Sequence, residues 1–227
     1  MIGVCIGSQN TCIGVLKGSN VDIILSETSS RSIPTVVSYT DKERVSGDAA
    51  LSISKSNYLK TIVYPNRFLG QVNGPIFQQE KEYSFIEPKL DDYYRCCFDF
   101  NYKNVEERLT PEAIMGTFFN KIKKYWKNKG YNTNDLCVAI PDYYNVQERQ
   151  AMLDAMNIAH LNAISLVNES SAISLNYGLF RRTQFEDTKP RLVGFVDMGQ
   201  SKTSIFFSTY TKNNQKVLYN SITNVYI

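Results

Sequence analysis

Two short segments of the sequence place a polar residue between an apolar run and a glycine in the same order. The first reads Val4-Cys5-Ile6-Gly7, and the second, Val196-Asp197-Met198-Gly199, begins 192 residues later. A threonine and an isoleucine follow at the same spacing in both copies, as Thr11, Ile13, Thr203 and Ile205. A glycine lets the backbone approach a ligand closely, and the N–H groups of a tight turn can surround an anion. The repeat therefore predicts two hairpins that would clamp a polyphosphate if they faced one another, although a single hairpin could simply reverse the chain.

The elements that must position these hairpins are short strands. Apolar runs separated by glycine, serine and asparagine clusters are typical of a strand meander. The first meander is predicted at Ile2 to Ile6, Cys12 to Leu16, Val21 to Ile24 and Thr35 to Tyr39. A second meander is expected after a polar turn at Glu186 to Pro190.

Between the two meanders the pattern indicates alternating helices and strands. A helix is predicted from Pro111 to about Lys127, with Thr110 as its N-cap and an apolar stripe at Ile114, Phe118, Ile122 and Trp126. Next come a strand at Leu136 to Ile140, a helix after Asn145, a strand at Ala163 to Val167 and a helix at Glu169 to Leu179. Such alternation favours a mostly parallel sheet with right-handed crossovers, flanked by helices.

Local signals refine these predictions. Asn145 with Glu148 indicates a capping box, and Gly178 stands where a helix C-cap glycine is expected. Residues 40–107 have no long period and are interpreted as an inserted subdomain. Within it, helices are predicted at Asp48 to Ser54 and at Tyr58 to Phe68, the second interrupted by Pro65.

The bulk composition limits the class of protein. The 227 residues are 43% hydrophobic and carry a formal charge of +3, with basic and acidic residues intermixed. This gives no electrostatic case for nucleic acid or a membrane as a partner. The five cysteines form no CxxC pair and no metal-ligand spacing with His160, which fits a reducing, cytoplasmic location. No 18-residue apolar run and no signal-peptide pattern occur.

Several strings occur in the order found in one known family. They are Arg31 to Val37, Val45 to Ala50, Arg67 to Gly70, Ala139 to Tyr144 and Leu166 to Ala172. With the duplicated hairpins, they make the chain resemble the ATP-binding domain of the 70-kDa heat-shock chaperone superfamily. The resemblance implies an α/β fold of the actin-like ATPase (ribonuclease H-like) type, with a mixed sheet and flanking helices. It also implies a core subdomain of the first lobe at residues 1–39 and 108–189, an insertion at 40–107, and the start of the second duplicated half at 190–227.

Two strings narrow the resemblance to the 110-kDa co-chaperone branch. They are Leu175 to Leu179 and Gly194 to Ser201. Members of that branch act mainly as nucleotide exchange factors and holdases for 70-kDa chaperones, so the resemblance implies such a chaperone as partner and unfolded proteins as clients, bound through domains outside this sequence. The second lobe that encloses the nucleotide is also missing, so we expect either a piece of a longer protein or an abbreviated one.

Two positions depart from the family pattern. Cys5 stands where the family carries an aspartate that orders magnesium-bound waters, and a neutral thiol is a poor partner for a hydrated hard cation. The alternative is that Cys5 is simply a buried strand cysteine. Asn66 stands at the family's catalytic lysine, which lies beside the γ-phosphate. Loss of such a cation costs about a hundredfold or more in rate, so we predict very slow or no hydrolysis.

Other site residues are carried over by the resemblance. Asp197 would bind magnesium through water or hold the attacking water, and Glu169 would lie near the outer shell of the metal. Alternatively, Asp197 caps its turn and Glu169 is a first-turn helix residue. The expected phosphate-binding residues for ATP or ADP are Gly7, Ser8, Gln9, Asn10, Gly199, Gln200, Ser201 and Lys202.

Lys202 could partly replace the positive charge lost at Asn66, and this idea fails if Lys202→Ala leaves nucleotide affinity unchanged. Structural roles are expected elsewhere: His160 as a surface or helix-capping residue, Cys96 and Cys97 as packing residues, and Arg67 in an ion pair.

The leading hypothesis is a nucleotide-binding co-chaperone module. Its competitors are an active chaperone ATPase and a scaffold that has lost nucleotide.

Overall fold

The computed structural model describes residues 1–18, 20–103, 105–185, 189–213 and 216–226. The chain divides into two compact units. The first consists of Met1–Val138 and Tyr143–Leu166, and the second of Ala139–Asp142 and Val167–Ile227. The subdomain boundaries expected at residues 40, 108 and 190 stay predictions. Most of the predicted turn at Glu186 to Pro190 lies outside the described residues.

The helices in the described part of the chain are α1 (Asp48–Ile53), α2 (Pro75–Lys81), α3 (Pro111–Asn128), α4 (Val146–Ile158) and α5 (Glu169–Phe180). The strands there are β1 (Ile2–Ile6), β2 (Asn10–Lys17), β3 (Asn20–Ile23), β4 (Ile33–Pro34), β5 (Val36–Tyr39), β6 (Arg44–Ser46), β7 (Thr61–Val63), β8 (Lys89–Leu90), β9 (Cys96–Tyr102), β10 (Val105–Leu109), β11 (Asp135–Ile140), β12 (Asn162–Asn168), β13 (Arg191–Met198), β14 (Thr203–Asn213) and β15 (Lys216–Tyr226).

The largest sheet has the strand order β12-β11-β1-β2-β3, with β4 paired to β2. Strands β1, β2 and β3 pair antiparallel, as expected for the first meander. Ile2, Val4 and Ile6 are buried, whereas the alternate residues Gly3 and Cys5 are exposed. This period of two gives the sheet one buried face, which anchors the hairpin between β1 and β2.

Helices α3 and α4 begin at the predicted caps. The side chain of Thr110 accepts a hydrogen bond from the N–H of Ala113, and Asn145 and Glu148 form the expected capping box at the start of α4. The apolar stripe of α3, predicted at Ile114, Phe118, Ile122 and Trp126, is fully buried. The helices pack closely, since a Cβ on Gly116 would lie only 2.6 Å from a side-chain atom of Ile158.

Residues 58–68 differ from the prediction of one helix. They form a 3-10 turn at Tyr58–Lys60, the strand β7, and a second 3-10 turn at Pro65–Phe68. The β-branched side chains of Thr61, Ile62 and Val63 favour a strand, and β7 pairs with β5 while the hydroxyls of Ser38 and Thr61 lie 2.7 Å apart. Long-range pairing therefore determines the structure of this segment.

The second unit contains α5 and the antiparallel sheet β13-β14-β15. The hydroxyls of Ser174 on α5 and Ser208 on β14 lie 2.7 Å apart, and the Tyr210 hydroxyl donates to the carbonyl of Ser174. The prediction of Gly178 as a C-cap is wrong, because α5 continues to Phe180. Gly178 is buried inside the helix.

No helix in the described ranges is long and apolar enough to cross a membrane.

Candidate functional site

The first hairpin joins β1 and β2 through a tight turn. The N–H of Gly7 donates to the carbonyl of Asn10 at 3.0 Å, and Ile6 pairs with Thr11 directly below the turn. Gly7 and Ser8 are half-buried, whereas Gln9 and Asn10 are exposed. The polar turn is thus presented at the end of a strand pair whose other face is anchored in the core.

Thr35 donates two hydrogen bonds to the backbone of the first turn. Its hydroxyl donates to the carbonyl of Gly7 at 2.9 Å, and its N–H donates to the carbonyl of Gln9 at 2.9 Å. The hydroxyls of Thr11 and Thr35, both buried, lie 3.0 Å apart. The carbonyl oxygens of Gly7, Gln9 and Asn10 therefore all accept hydrogen bonds within the protein. This matters for an anion, because carbonyl oxygens directed towards it would repel it.

The second hairpin repeats the first in its hydrogen bonding and register. The N–H of Gly199 donates to the carbonyl of Lys202 at 2.8 Å, as that of Gly7 does to Asn10. Met198 pairs with Thr203, 192 residues after the pair of Ile6 with Thr11. The internal repeat predicted from sequence is confirmed at this level, while phosphate binding by the two turns stays a prediction.

Cys5 is exposed, so its interpretation as a buried strand cysteine is wrong. The alternation along β1 puts it on the face opposite to Val4 and Ile6. Its partner in register is Cys12 on β2, which is also exposed. A pair of thiols therefore stands below the first turn, where the family pattern carries a carboxylate.

Asn66 lies in the 3-10 turn at Pro65–Phe68 and is 3% exposed. The hydroxyl of Tyr144 donates to its backbone carbonyl at 2.7 Å, while its side-chain Oδ1 is buried with no hydrogen-bond partner among the described residues. The neighbouring cation, Arg67, forms an ion pair with the buried carboxylate of Glu80, as expected for a structural role. The side chain at position 66 is therefore neutral, and the adjacent cation is paired with an acid.

Glu169 is the first residue of α5 and forms an ion pair with Lys202 from the second turn. Both side chains are largely buried, at 12% and 14% exposure. Burial raises the pKa of Glu169, the Lys202 ammonium opposes that rise, and the carboxylates of Asp197 and Asp142 add to it. Lys202, expected to supply charge for phosphate, is thus already engaged by an acid within the same unit.

Asp197 is half-buried near the end of β13 and pairs in register with Ser204. It precedes the second turn by one residue, Met198, so its side chain stands at the base of the Gly199–Lys202 turn. Gln200 is exposed and Ser201 half-buried within that turn. The second unit therefore gathers a retained carboxylate, the Glu169–Lys202 ion pair and the polar turn.

Asp142 is a site residue that the sequence analysis quoted only as part of a family string. Its carboxylate accepts hydrogen bonds from the N–H of Ser170, at 3.1 Å, and from the Ser170 hydroxyl. Asn168, the N-cap of α5, makes no side-chain capping bond. Asp142 thus caps α5 from 28 residues away. The available signal was an aspartate directly after the strand β11 and Pro141.

The donor set does not fit a magnesium ion held by protein ligands. No group of three histidine, cysteine, aspartate or glutamate side chains suited to a metal occurs among the described residues. Glu169 is paired with Lys202, and Cys5 replaces the expected aspartate. Magnesium prefers oxygen ligands and keeps several waters, so only an outer contact by Asp197 through water is compatible with these residues.

Other predicted roles agree with the structure. His160 has a φ of 52° at the end of α4 and is exposed, as expected for a helix-end residue. Its carbonyl and that of Ala159 accept hydrogen bonds from the ammonium of Lys123. Cys96 and Cys97 are buried thiols, which confirms their packing role.

Comparison with known proteins identifies the family. A family model described as Hsp70 protein matches residues 1–218. Heat shock protein 88 of Dictyostelium discoideum is 34% identical over 96% of this chain and 28% of its own length. A heat shock protein homolog of Saccharomyces cerevisiae is 30% identical over 95% of this chain and 32% of its own length. Heat shock 70 kDa protein 14 of Arabidopsis thaliana is 28% identical over 96% of this chain and 26% of its own length.

The chain spans less than a third of the length of each of these relatives. The match nevertheless covers both hairpins and nearly all of the described residues. The duplicated turn geometry, the α/β architecture and the match over residues 1–218 agree: the chain belongs to the Hsp70 family, whose ATPase domain has the actin-like fold.

Proposed function

We propose that this chain is an ATP- and ADP-binding co-chaperone module with very slow or no ATP hydrolysis. It would act with a 70-kDa heat-shock chaperone as a nucleotide exchange factor and holdase. Membership of a chaperone family and similarity to the heat shock proteins of Dictyostelium discoideum and Saccharomyces cerevisiae support the class. A cytoplasmic location and unfolded protein clients belong to the same proposal.

The observation that carries the proposal is the environment of Asn66. The side chain is buried and neutral, and Arg67, the next cation along the chain, is committed to Glu80. Transfer of a phosphoryl group needs preorganised positive charge where negative charge develops. A site with Asn66 can hold a nucleotide through other groups and still lack the cation that accelerates hydrolysis.

Backbone groups of the two turns are the proposed phosphate ligands. The carbonyl oxygens of Gly7, Gln9 and Asn10 accept hydrogen bonds inside the protein, which favours an anion at the first turn. The second turn has the same closing hydrogen bond between Gly199 and Lys202. Binding by backbone N–H groups would tolerate the changes at Cys5 and Asn66, because it does not depend on those side chains.

Thermal unfolding with and without millimolar Mg-ATP tests the proposal. A ligand at about 100 times its Kd stabilises the folded state by about 2.7 kcal/mol, so we expect a clear rise in Tm. Mg-AMP at the same ionic strength is the control, because AMP lacks the β- and γ-phosphates that the turns are proposed to bind. Phosphate release is measured in parallel and should stay at background.

The double variant Cys5→Asp/Asn66→Lys separates the three hypotheses. A Tm rise with background turnover in the natural chain, and faster turnover in the variant, supports the proposal. Turnover by the natural chain at the rate of an active chaperone identifies an ATPase. A Tm that does not respond to ATP in either protein identifies a scaffold without nucleotide. A rise in Tm with ATP in the variant alone means that the natural chain lost nucleotide binding through Cys5 and Asn66.

The exchange role needs a separate assay. Fluorescent ADP is loaded on a 70-kDa chaperone, and the release of ADP is followed after the protein is added. We expect accelerated release. Unchanged release would reject the exchange role while leaving nucleotide binding by this chain intact.

A further inference from the structure

Two thiols are placed directly opposite one another on neighbouring strands. Cys5 on β1 and Cys12 on β2 are partners in the antiparallel register, and both are exposed. They lie on the face of the strand pair opposite to the buried residues Val4 and Ile13. The pair stands two positions below the Gly7–Asn10 turn.

The type of strand pairing sets the distance between them. The N–H of Gly7 donates to the carbonyl of Asn10, and the N–H of Leu16 donates to the carbonyl of Met1. Hydrogen-bonded pairs alternate along an antiparallel ladder, so every second residue from Met1 to Gly7 belongs to one. Cys5 and Cys12 belong to this set. Opposed residues of that kind have Cα atoms about 5.5 Å apart. Disulfides span Cα separations of about 4.4–6.8 Å, so this Cα separation lies within the range that a disulfide can bridge.

The same geometry would make a disulfide between Cys5 and Cys12 easy to reduce. Opposed Cβ atoms in an antiparallel pair lie about 4.5–5.5 Å apart. A relaxed disulfide brings them to about 3.5–4.5 Å. Closing this gap strains the link, and strained or exposed disulfides are the ones that are readily reduced. In reducing compartments, disulfides of this kind are transient and serve redox sensing.

The other cysteines are less suited to a bridge. Cys96 and Cys97 are buried neighbours in sequence, and adjacent cysteines seldom bridge. Cys137 is half-buried on β11, the strand beside β1 in the sheet order. Cys137 is therefore the competitor that an experiment must separate from Cys12.

We propose that Cys5 and Cys12 form a reversible disulfide when hydrogen peroxide reaches this face, which makes the base of the first hairpin a redox modification site. One sulfur attacks a peroxide oxygen, the O–O bond breaks, and a sulfenic acid and water result. The second sulfur attacks the sulfenic sulfur, the S–S bond forms, the S–O bond breaks, and a second water leaves. The two sulfurs together give up two electrons, and the peroxide takes them.

The sequence offers a direct assay. Trypsin cleaves after lysine and arginine, and the first such residue is Lys17, so Cys5 and Cys12 share the peptide 1–17. Cys137 falls in the peptide 130–149, and Cys96 with Cys97 in the peptide 96–103. The 227-residue chain is treated with a small excess of hydrogen peroxide, and its remaining thiols are alkylated with iodoacetamide. The chain is then digested with trypsin, and the peptide masses are measured by mass spectrometry.

We expect the peptide 1–17 to lose the mass of two hydrogen atoms and to escape alkylation, and dithiothreitol to restore it. In Cys12→Ser the loss should disappear, and Cys5 should instead be captured by dimedone as a sulfenic acid. Cys137→Ser is the matched control and should leave the bridge intact.

Three results would overturn the proposal. One is a peptide 1–17 that stays fully alkylated or carries separate sulfinic acids. Another is a cross-link between the peptides 1–17 and 130–149. The third is equally rapid bridging in the chain unfolded by urea, because the folded register of Cys5 with Cys12 would then have no part in the reaction. None of these readouts depends on nucleotide binding, so the proposed function stands or falls separately.

Discussion

Gly7 and Gly199 occupy equivalent places in the two hairpins but differ in the space around them. A Cβ on Gly7 would lie 2.7 Å from the backbone oxygen of Asn10, whereas one on Gly199 would lie 3.5 Å from that of Lys202. A backbone atom in a tight turn cannot move aside easily. We therefore expect Gly7→Ala to cost about 1–3 kcal/mol in the free energy of unfolding, measured by urea denaturation, through overpacking.

Gly199→Ala is the matched control for this prediction. Its Cβ would make an ordinary contact, so we expect a change within about 0.5 kcal/mol. Equal losses in both variants would mean that the steric difference between the turns has no energetic effect.

The ion pair of Lys202 with Glu169 gives a second prediction at this scale. Its side chains are 14% and 12% exposed, so Lys202→Ala leaves a carboxylate largely buried without its cation. Removing one partner of a buried pair is strongly destabilising, and we expect a loss of about 3 kcal/mol in the free energy of unfolding. The double variant Lys202→Met/Glu169→Gln should regain most of that loss, because no charge remains buried.

Lys81 with Glu87 is the exposed counterpart, at 37% and 67% exposure. Lys81→Ala should cost less than about 1 kcal/mol, as surface pairs do. If Lys81→Ala and Lys202→Ala cost the same, burial does not control the strength of the Lys202 pair.

Single residues also show where sequence reasoning stops. The turn glycines and the cap by Asn145 depend on neighbours in sequence or on family strings, and they were predictable. Asp142 was not assigned its role, because its partner Ser170 is 28 residues away. The exposure of Cys5 follows from the alternation along β1 once the buried face is known, but the residue type alone favoured burial.

At the scale of elements, one carboxylate links three strands. Asp99 on β9 accepts two hydrogen bonds from Arg108 on β10, at 2.8 and 3.0 Å, and one from Lys89 on β8 at 3.2 Å. Its side chain is only 8% exposed. We expect Asp99→Asn to lower the free energy of unfolding by about 1–2 kcal/mol at neutral pH, because charge-assisted hydrogen bonds are lost.

The pH dependence of this effect has a definite sign. The Arg108 hydrogen bond lowers the pKa of Asp99 from its ordinary 3.8, burial opposes this, and Lys89 adds to the lowering. A lowered folded pKa contributes stability above the ordinary value and loses it as the pH falls through the folded one. The gap between the natural chain and Asp99→Asn should therefore shrink below about pH 4. Glu106→Gln, at an exposed position of β10, is the control and should change the free energy of unfolding at neutral pH by less than about 0.5 kcal/mol.

Element prediction succeeded where local signals agreed with tertiary context. Helix α3 has both its cap at Thr110 and its buried stripe where the sequence indicates them. The segment 58–68 failed because pairing of β7 with β5 prevailed over a helix-like pattern. Gly178 failed as a C-cap because α5 continues to Phe180, so a glycine alone does not end a helix.

At the scale of the molecule, the order of the repeat and of the family strings along the chain gave most of what the sequence could predict. The repeat 192 residues apart and the family strings predicted both hairpins and the family. The same comparison exposes the departures at Cys5 and Asn66, which composition and periodicity alone cannot indicate. The ion pair that engages Lys202 required the structure, because Glu169 lies 33 residues earlier in sequence.

These departures predict an unusual response to magnesium in the whole chain. Family ATPase domains bind ATP or ADP with magnesium, yet here Cys5 replaces a carboxylate and Glu169 is engaged by Lys202. We expect ATP in the presence of EDTA to raise the Tm nearly as much as Mg-ATP does, measured by differential scanning fluorimetry. The reason is that Asp197 alone offers little extra attraction for a nucleotide-bound cation.

The variant Cys5→Asp supplies the contrast for this experiment. A carboxylate in place of the thiol at position 5 should order magnesium-bound waters, so the difference in Tm between Mg-ATP and ATP with EDTA should grow in the variant. Magnesium chloride without nucleotide controls for direct effects of the ion on stability. Complete loss of the ATP effect in EDTA in the natural chain would contradict the prediction, because it would mean that the remaining groups recruit the cation without the carboxylate at position 5.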